Sequence, residues 1–236
     1  MKKILVLFWS IFLFSCSTID NLVTNDDLDP LEPINRVVFD FNLTADKYVL
    51  SPINKGYQSV TPKYVQNRVS DFFGNLSDIK TAFNQFLQFK IVDGFGSIGR
   101  VALNSTIGIL GLFDVATDLK ITKKNEDFGQ TLAVWGVGKG PFLMLPFFGP
   151  STLRDATGIV GDSWVKVNPQ DQLPVQQDRL GVNIMKVIDA RSQLGSMLDV
   201  VKRKKDPYIF ARDGWLQKRE FDIYDGNPPQ DDFNDF

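Results

Sequence analysis

Residues 126–155 read EDFGQTLAVWGVGKGPFLMLPFFGPSTLRD, and this stretch decides which folds are open to the chain. Between Phe128 and Leu153 it carries one charged residue, Lys139, and glycines and prolines interrupt it repeatedly. A membrane-spanning helix needs about 20 apolar residues without such breaks, so the stretch does not predict a span. It predicts either a buried core or an apolar surface seated in one leaflet of a membrane.

The segment upstream has the same character. Val101 to Phe113 carries no charge and includes Gly108 and Gly111. Two amphipathic helices are predicted before it. The first begins at Pro33 and is expected to end at Ser51-Pro52, because a residue before proline disfavours the helical conformation. Its apolar face contains Ile34, Val37, Val38, Phe41, Ala45 and Tyr48.

The second predicted helix begins at Thr61-Pro62, with Thr61 as its cap. One apolar stripe runs along it and favours packing against a core over the alternative, a membrane-facing surface, although Gly74 is a possible break. The stripe consists of Val65, Val69, Phe72, Leu76, Ile79, Phe83 and Phe86.

The C-terminal third is also helical by pattern. Asp178 to Val201 is a long amphipathic segment that ends in the cations of residues 202–205, where the helix dipole favours positive charge. These cations are either a solvated face or a contact with anionic headgroups. Asp206-Pro207 opens a last helix. Few segments alternate as strands do, so the sequence predicts a mainly α class.

The N-terminus reads as an export signal for a lipid-anchored protein. Lys2 and Lys3 precede an apolar run too short to span a bilayer, which ends at Leu13-Phe14-Ser15-Cys16. This tetrapeptide has the outline of a bacterial lipobox, in which the cysteine is acylated after cleavage in front of it. A plain secretory signal or a short anchor helix are the alternatives. Ser17, rather than Asp, favours sorting to the outer membrane.

Composition excludes several classes of function. Without Lys2 and Lys3 the chain has 24 basic and 28 acidic residues, a net charge of −4 that argues against nucleic-acid binding. The sequence has no histidine, and its one cysteine is assigned to lipid, so we predict no catalytic residues, no metal site and no cofactor. The Gly136–Gly140 segment lacks the Ser or Thr of a phosphate-binding loop after Lys139.

Three segments, in this order, resemble the MlaA (VacJ) family of outer-membrane lipoproteins. Single segments of this kind are weak signals, but the ordered set is specific. The first is residues 29–42, the second is residues 126–155, and the third is residues 206–219, which reads DPYIFARDGWLQKR. Phe142 stands where the family pattern leads us to expect tyrosine.

The resemblance implies a mainly α fold, a single domain of amphipathic helices. In this family the helices form a ring seated in the inner leaflet of the outer membrane, with an amphipathic central channel. It also implies a transporter without enzymatic activity, which removes misplaced phospholipid from the outer leaflet. The implied partners are phospholipid, the outer membrane, a trimeric porin and a soluble periplasmic phospholipid carrier. The implied place is the periplasmic face of a Gram-negative outer membrane.

These observations set the expectations for the structure. Residues 1–15 are a signal peptide, 16–28 a tether lipidated at Cys16, 29–226 the helical domain and 227–236 a disordered acidic tail. A glycine-rich loop is the expected mobile gate of the lipid path, and Lys139 is expected to attract the lipid phosphate. The alternative for this loop is a plain tight turn between two buried apolar segments. The loop comprises Trp135, Gly136, Gly138, Lys139, Gly140, Pro141 and Phe142. Trp135 and Phe142 flank the loop and are expected to hold it at an interface, where Trp is favoured, and Gly138 is the position at which a larger residue is expected to restrict it. The alternatives are a scaffold lipoprotein and a lipid-modifying enzyme using carboxylates near Glu126 and Asp155.

Overall fold

The structure, a computed structural model, describes residues 28–165 and 176–229, and in the second range it describes side chains from residue 180 onward. The described residues are mostly helical, with one short β-hairpin. The helices are α1 (Glu32–Ala45), α2 (Ser51–Val60), α3 (Lys63–Leu87), α4 (Ile91–Thr106), α5 (Val115–Asp118), α6 (Phe128–Val134), α7 (Leu153–Trp164), α8 (Gln176–Lys202) and α9 (Pro207–Ile223). The strands are β1 (Phe142–Leu145) and β2 (Gly149–Thr152).

The predicted end of the first helix at Ser51-Pro52 is wrong. A five-residue π-helical segment, Asp46–Leu50, connects α1 directly to α2. Proline is tolerated there because Pro52 occupies the first turn of α2, where its missing N–H is not needed within the helix. The chain therefore remains helical from Glu32 to Val60.

The second helix also differs from its prediction. It begins after Pro62, in the N-cap position, and no side chain caps it, so Thr61 is not the cap. Gly74 does not interrupt α3, which runs without a break for 25 residues. The later predictions held: α8 spans the expected segment, and the Asp206 side chain accepts a hydrogen bond from the Ile209 N–H at the start of α9.

The hairpin was not predicted. Strands β1 and β2 pair in antiparallel register, with Phe142 opposite Thr152 and Leu145 opposite Gly149. Each strand has four residues, and a proline and two phenylalanines occupy the turn, so the sequence offers little alternation to read.

Contacts between the helices form a closed circuit. Helix α3 packs against α6, α6 against α9, α9 against α8, and α8 returns to α3. The hairpin connects this circuit to α1, because β1 contacts α1 and β2 contacts α9. The mainly α, single-domain architecture expected from the sequence is confirmed.

Burial in this domain is reversed relative to an ordinary globular protein. On α4 the buried positions Gly94, Ser97, Arg100 and Asn104 recur every three or four residues, so a small and polar face points inward. Helix α3 also turns a mostly polar face inward. Its buried residues are Gln66, Asn75, Asp78, Thr81, Ala82, Asn84 and Gln85. The apolar stripe predicted to face a core on α3 is instead half-buried or exposed, so that prediction is wrong.

The apolar residues of these helices point outward. On α4, Val92 is 85% exposed and Phe95 is 65% exposed. Elsewhere in the described ranges, large apolar side chains are exposed at Phe89, Ile107, Ile109, Leu110, Val160 and Trp164. Within residues 28–165 and 176–229, the hydrophobic core is of modest size and lies between α1, β1, α8 and α9, around Phe39, Phe142, Met144, Val201 and Tyr208. The part of the chain that the structure describes contains no helix long and apolar enough to cross a membrane.

Candidate functional site

The glycine-rich loop lies between α6 and the hairpin, against the N-terminus of α7. Trp135 ends α6, and its indole Nε1–H donates to the carbonyl oxygen of Leu87 at 3.0 Å. The backbone N–H groups of Leu153 and Arg154 donate to the carbonyl oxygens of Pro141 (3.1 Å) and Lys139 (3.2 Å). Both flanks of the loop are therefore hydrogen-bonded, and the Val137 N–H donates to the Leu132 carbonyl at 2.9 Å.

The two aromatic residues that flank the loop have different roles. Trp135 is half exposed and packs edge-to-face on Phe128, as expected for a residue at an interface. Phe142 is 1% exposed and lies in the hydrophobic core against Tyr208 and Trp215. The prediction that both hold the loop at an interface is therefore wrong for Phe142.

The glycines of the loop are not equivalent. Gly136 and Gly140 have positive φ values of 86° and 66°, in the left-handed region that favours glycine. Gly138 does not have a positive φ, and a Cβ atom there would meet nothing within 4 Å. The expectation that Gly138 is the constrained position is wrong, and Gly140 takes its place because an added Cβ would lie 3.0 Å from Cβ of Leu153.

We expect Gly140→Ala to lower the free energy of unfolding by about 1–3 kcal/mol, since it combines a positive φ with a tight contact. Gly138→Ala is the matched control and should change stability by less than about 0.5 kcal/mol. Chemical denaturation of the full chain in detergent, followed by circular dichroism, measures both. Equal effects at the two positions would show that the loop is not held by α7.

The tip of the hairpin is a second exposed aromatic site, which the sequence reading did not single out. Phe147 and Phe148 are 71% and 73% exposed. Asn42 of α1 holds the turn from both sides: its Nδ2–H donates to the Leu145 carbonyl at 2.9 Å, and its Oδ1 accepts from the Phe147 N–H at 2.8 Å. The ring of Phe41 packs edge-on against Phe147. The signal in the sequence was Pro146-Phe147-Phe148-Gly149, whose Pro and Gly flank two large apolar residues.

A buried ionic cluster fills the space between α3, α4 and α5. The Arg100 guanidinium donates to Asp78 at 3.0 Å, to both oxygens of Asp114 and to the Ile121 carbonyl at 2.6 Å. Arg100 is 1% exposed, and the Asp78 side chain is equally enclosed. Burial opposes ionisation of Asp114, but hydrogen bonds from Thr117, Asn104 and Arg100 outweigh it, and its pKa is lowered to about 2.

A second cluster surrounds Glu126, where α3 meets α6. The Glu126 carboxylate accepts from Gln88 at 3.0 Å, Gln130 at 2.9 Å and the Lys90 ammonium at 3.0 Å. Burial raises the pKa of Glu126 above its ordinary value, since these hydrogen bonds offset only part of the desolvation. Thr131 continues the network from Gln88 to Asn84 of α3.

Arg219 of α9 binds Asp127 and Asp155, which lie near the two ends of the 126–155 stretch. Its Nη atoms donate to Asp127 at 2.6 and 2.7 Å and to Asp155 at 2.8 Å. Burial opposes ionisation of Asp155, but Arg219 and Arg154 outweigh it, and its pKa lies below the ordinary value. Gly129 is required because a Cβ there would collide with this ion pair.

The first and third quoted segments are joined in the same way. Asn35 donates to Asp29 at 2.8 Å and to the Phe142 carbonyl at 3.1 Å, and it accepts from the Met144 N–H. Tyr208 of α9 donates to Asp29, and Arg36 binds Asp206. The residues that carry the family resemblance therefore contact one another and hold α1, the hairpin, α7 and α9 together.

In these clusters, buried polar and charged side chains pack against one another and form hydrogen bonds with one another. Glu126 and Asp155, the carboxylates of the enzyme alternative, are buried and hydrogen-bonded to structural partners. Among residues 28–165 and 176–229, His, Cys, Asp and Glu form no group that could hold a metal ion. Cys16, the signal segment, the tether before residue 28 and the tail from residue 230 lie outside the described residues.

Comparison with known proteins decides the family. The profile of the MlaA lipoprotein family matches residues 27–222. This chain belongs to the MlaA lipoprotein family. It is 36% identical over 196 residues to an uncharacterized protein of Rickettsia bellii, covering 83% of this chain and 76% of the relative. It is 33% identical over 198 residues to the intermembrane phospholipid transport system lipoprotein MlaA of Escherichia coli, covering 82% of this chain and 77% of that protein.

The membership in the family extends to the fold. A solved structure from work on the structural basis for maintenance of bacterial outer membrane lipid asymmetry superposes with a TM-score of 0.71 and 33% identity. The match covers 83% of this chain and 98% of that one. The MlaA protein of Haemophilus influenzae, with the same name as its Escherichia coli relative, is 29% identical over 84% of this chain and 80% of its own length.

Proposed function

We propose that this chain is an outer-membrane lipoprotein that takes misplaced phospholipid from the outer leaflet and passes it to a periplasmic carrier, so that the membrane keeps its lipid asymmetry. The observation that carries the proposal is the reversed burial of α3 and α4, with polar side chains inside and apolar side chains outside. The relatives named for intermembrane phospholipid transport support it.

The reversed burial fits the physical problem of moving a lipid. A phospholipid has roughly 30 methylenes, and exposing each to water costs about 0.8 kcal/mol, so bare extraction costs more than about 20 kcal/mol. A domain with an apolar exterior can sit at the depth of the acyl chains, while a polar interior accepts the headgroup. The helices of the closed circuit would then surround an amphipathic channel. The protein lowers the barrier, and its partners set the direction.

The proposal also assigns roles to the segments outside the described residues and to the partner molecules. Residues 1–15 serve as signal peptide, 16–28 as tether, 29–226 as transport domain and 227–236 as acidic tail. A trimeric porin holds the domain in the membrane, and a soluble periplasmic protein receives the lipid. The chain itself is not an enzyme in this proposal, because the carboxylates near Glu126 and Asp155 are used in packing.

A transfer assay tests the function. Purified full-length chain in vesicles, with labelled phospholipid and a periplasmic carrier, should move label to the carrier without changing the mass of the lipid. Turnover of lipid would support the enzyme alternative, and absence of transfer with intact porin binding would support the scaffold.

The anchor has its own test. We expect Cys16→Ala to abolish acylation and to leave an uncleaved or mislocalised chain, because the thiol is the acceptor of the lipid. Mass spectrometry of the mature N-terminus of the unmodified sequence should find acyl chains on Cys16. A free thiol on a chain cut elsewhere would contradict the lipoprotein assignment.

A substitution at Lys139 tests whether the glycine-rich loop is the gate of the lipid path. The Lys139 side chain is exposed, and within the described ranges no carboxylate pairs with it, so its ammonium is available to a lipid phosphate. We expect Lys139→Ala to raise outer-leaflet phospholipid several-fold in cells that depend on this chain, while the fold and porin association persist. Lys120→Ala, an exposed lysine of another loop, is the control. Unchanged lipid content in well-folded Lys139→Ala protein would make the loop a plain connector.

A further inference from the structure

The corner between α8 and α9 carries a compact basic cluster, residues 203–205. Arg203, Lys204 and Lys205 are exposed, and no ion pair holds any of them in the described part of the chain. The backbone is ordered at this corner, because the N–H groups of Arg203 and Lys204 donate to the carbonyls of Val200 and Val201. The backbone that carries the three side chains is therefore held on an exposed turn.

Neighbouring cations have partners, which distinguishes them from the cluster. Lys202 donates to Asp46 at 2.8 Å, and Arg36 pairs with Asp206 at 2.8 Å. Asp199, one turn before the cluster, is the nearest carboxylate along the helix without an ion pair. The three cations of the cluster thus lack the ion pairs that Lys202 and Arg36 make, on a protein that is negative overall.

Apolar and aromatic side chains surround the cluster. The Lys204 ammonium lies 4.5 Å from the centre of the Phe210 ring, which is itself partly exposed. Met197 and Val200 on the last turns of α8 are exposed as well. Across the Lys202–Asp46 ion pair, Lys47 stacks on the exposed ring of Tyr48 at 5.1 Å. Cations beside aromatic and aliphatic groups are the pattern of a surface at the boundary between headgroups and acyl chains.

We propose that residues 203–205 bind the headgroups of anionic phospholipids at the membrane surface, and so give the domain a preference for anionic over zwitterionic lipid. The inference rests on the membrane placement proposed above and adds a headgroup class to it. Helix dipole compensation alone explains a cation in the last turn of α8 but does not require three exposed cations beyond its end, beside exposed apolar groups.

Lipid selectivity in a bilayer tests the cluster directly. The full chain is reconstituted in phosphatidylcholine vesicles with a trace of spin-labelled phosphatidylglycerol or spin-labelled phosphatidylcholine. One basic residue near a membrane surface corresponds to about a fivefold preference. We expect the phosphatidylglycerol probe to associate at least about fivefold more strongly than the phosphatidylcholine probe at low salt, with the preference falling as salt screens it.

The variant Arg203→Gln, Lys204→Gln, Lys205→Gln should bring the two probes close to equal association. The control Lys55→Gln, Lys63→Gln, Lys120→Gln makes the same change of charge at exposed lysines elsewhere and should keep the preference. The proposal is overturned if the cluster variant keeps the preference, which would leave the cluster to a protein partner, or if both variants lose it equally. If wild-type chain restricts neither probe, the membrane placement itself fails. If it restricts both equally, the placement stands and the cluster proposal is wrong.

Discussion

Arg100→Met should lower the free energy of unfolding by about 3–5 kcal/mol, the largest effect of a single substitution that we expect in this domain. The substitution keeps the bulk of the side chain but leaves the buried Asp78 with only the Lys123 ammonium, 3.7 Å away, and it also removes the hydrogen bonds to Asp114 and to the Ile121 carbonyl. Removing the close, hydrogen-bonded partner of a buried carboxylate is far more costly than replacing the whole pair. Denaturation of the full chain in detergent, followed by circular dichroism, measures the loss.

Lys124→Met is the matched control for Arg100. Lys124, in the segment between α5 and α6, pairs with Asp93 of α4 at 2.6 Å, but both side chains are about a third exposed, so solvent screens the pair. The control should cost less than about 1 kcal/mol. A loss of that small size for Arg100→Met as well would mean that the buried cluster does not stabilise the polar interior.

Replacing two exterior residues with aspartate should abolish function while the domain still folds in detergent. Val92 and Phe95 are among the most exposed apolar residues of α4, and neither is needed to cover a core. Each Asp placed in hydrocarbon costs up to about 3 kcal/mol, so Val92→Asp with Phe95→Asp would expel α4 from the leaflet. In cells that depend on this chain, outer-leaflet phospholipid should rise to the level of cells that lack it.

The control for this double variant is Lys55→Asp with Lys63→Asp, which adds the same number of carboxylates at exposed polar positions. It should keep wild-type lipid asymmetry. Loss of asymmetry in both double variants would point to net charge, and wild-type asymmetry in the Val92 and Phe95 variant would place α4 in water.

Local signals predicted some elements well. Helix α9 begins where Asp206-Pro207 indicates, because a capping carboxylate and a proline in the first turn act within one turn of helix. Helix α8 (Gln176–Lys202) also lies within two residues of the limits predicted from its pattern, Asp178 to Val201. The end expected at Pro52 failed because a π-helical segment put the proline into a first turn, which the residue types alone do not reveal.

The sequence pattern did not show which face of a helix points into the domain. An apolar stripe on α3 shows that its two faces differ. Which face turns inward depends on whether water or lipid surrounds the domain, and the pattern alone does not distinguish these two. The polar face of α3 and α4 turned inward because Arg100 and its carboxylates satisfy one another there. Likewise the hairpin depends on Asn35 and Asn42, which lie more than 100 residues away along the chain.

The way in which the glycine-rich loop is held could not be predicted from the sequence. Its anchors are hydrogen bonds from the first turn of α7 to the carbonyls of Lys139 and Pro141, which no pattern in residues 135–142 indicates. Phe142 was misjudged because a phenylalanine beside a glycine-rich turn suits an interface and a core equally well. The resemblance identified the residues that join the segments, and only the structure showed that they contact one another.

The proposed function requires that the apolar exterior of α4 lies in lipid, and spin-label accessibility measures this directly. Cys16 is the only native cysteine, and lipid occupies it in the proposed lipoprotein, so single cysteines at positions 92, 95 and 98 and at the control positions 55 and 63 can be labelled separately in the reconstituted full chain. We expect labels at 92, 95 and 98 to collide often with oxygen and rarely with an aqueous nickel reagent, and labels at 55 and 63 to show the reverse order. High nickel accessibility at 92, 95 and 98, equal to that of the controls, would contradict the account.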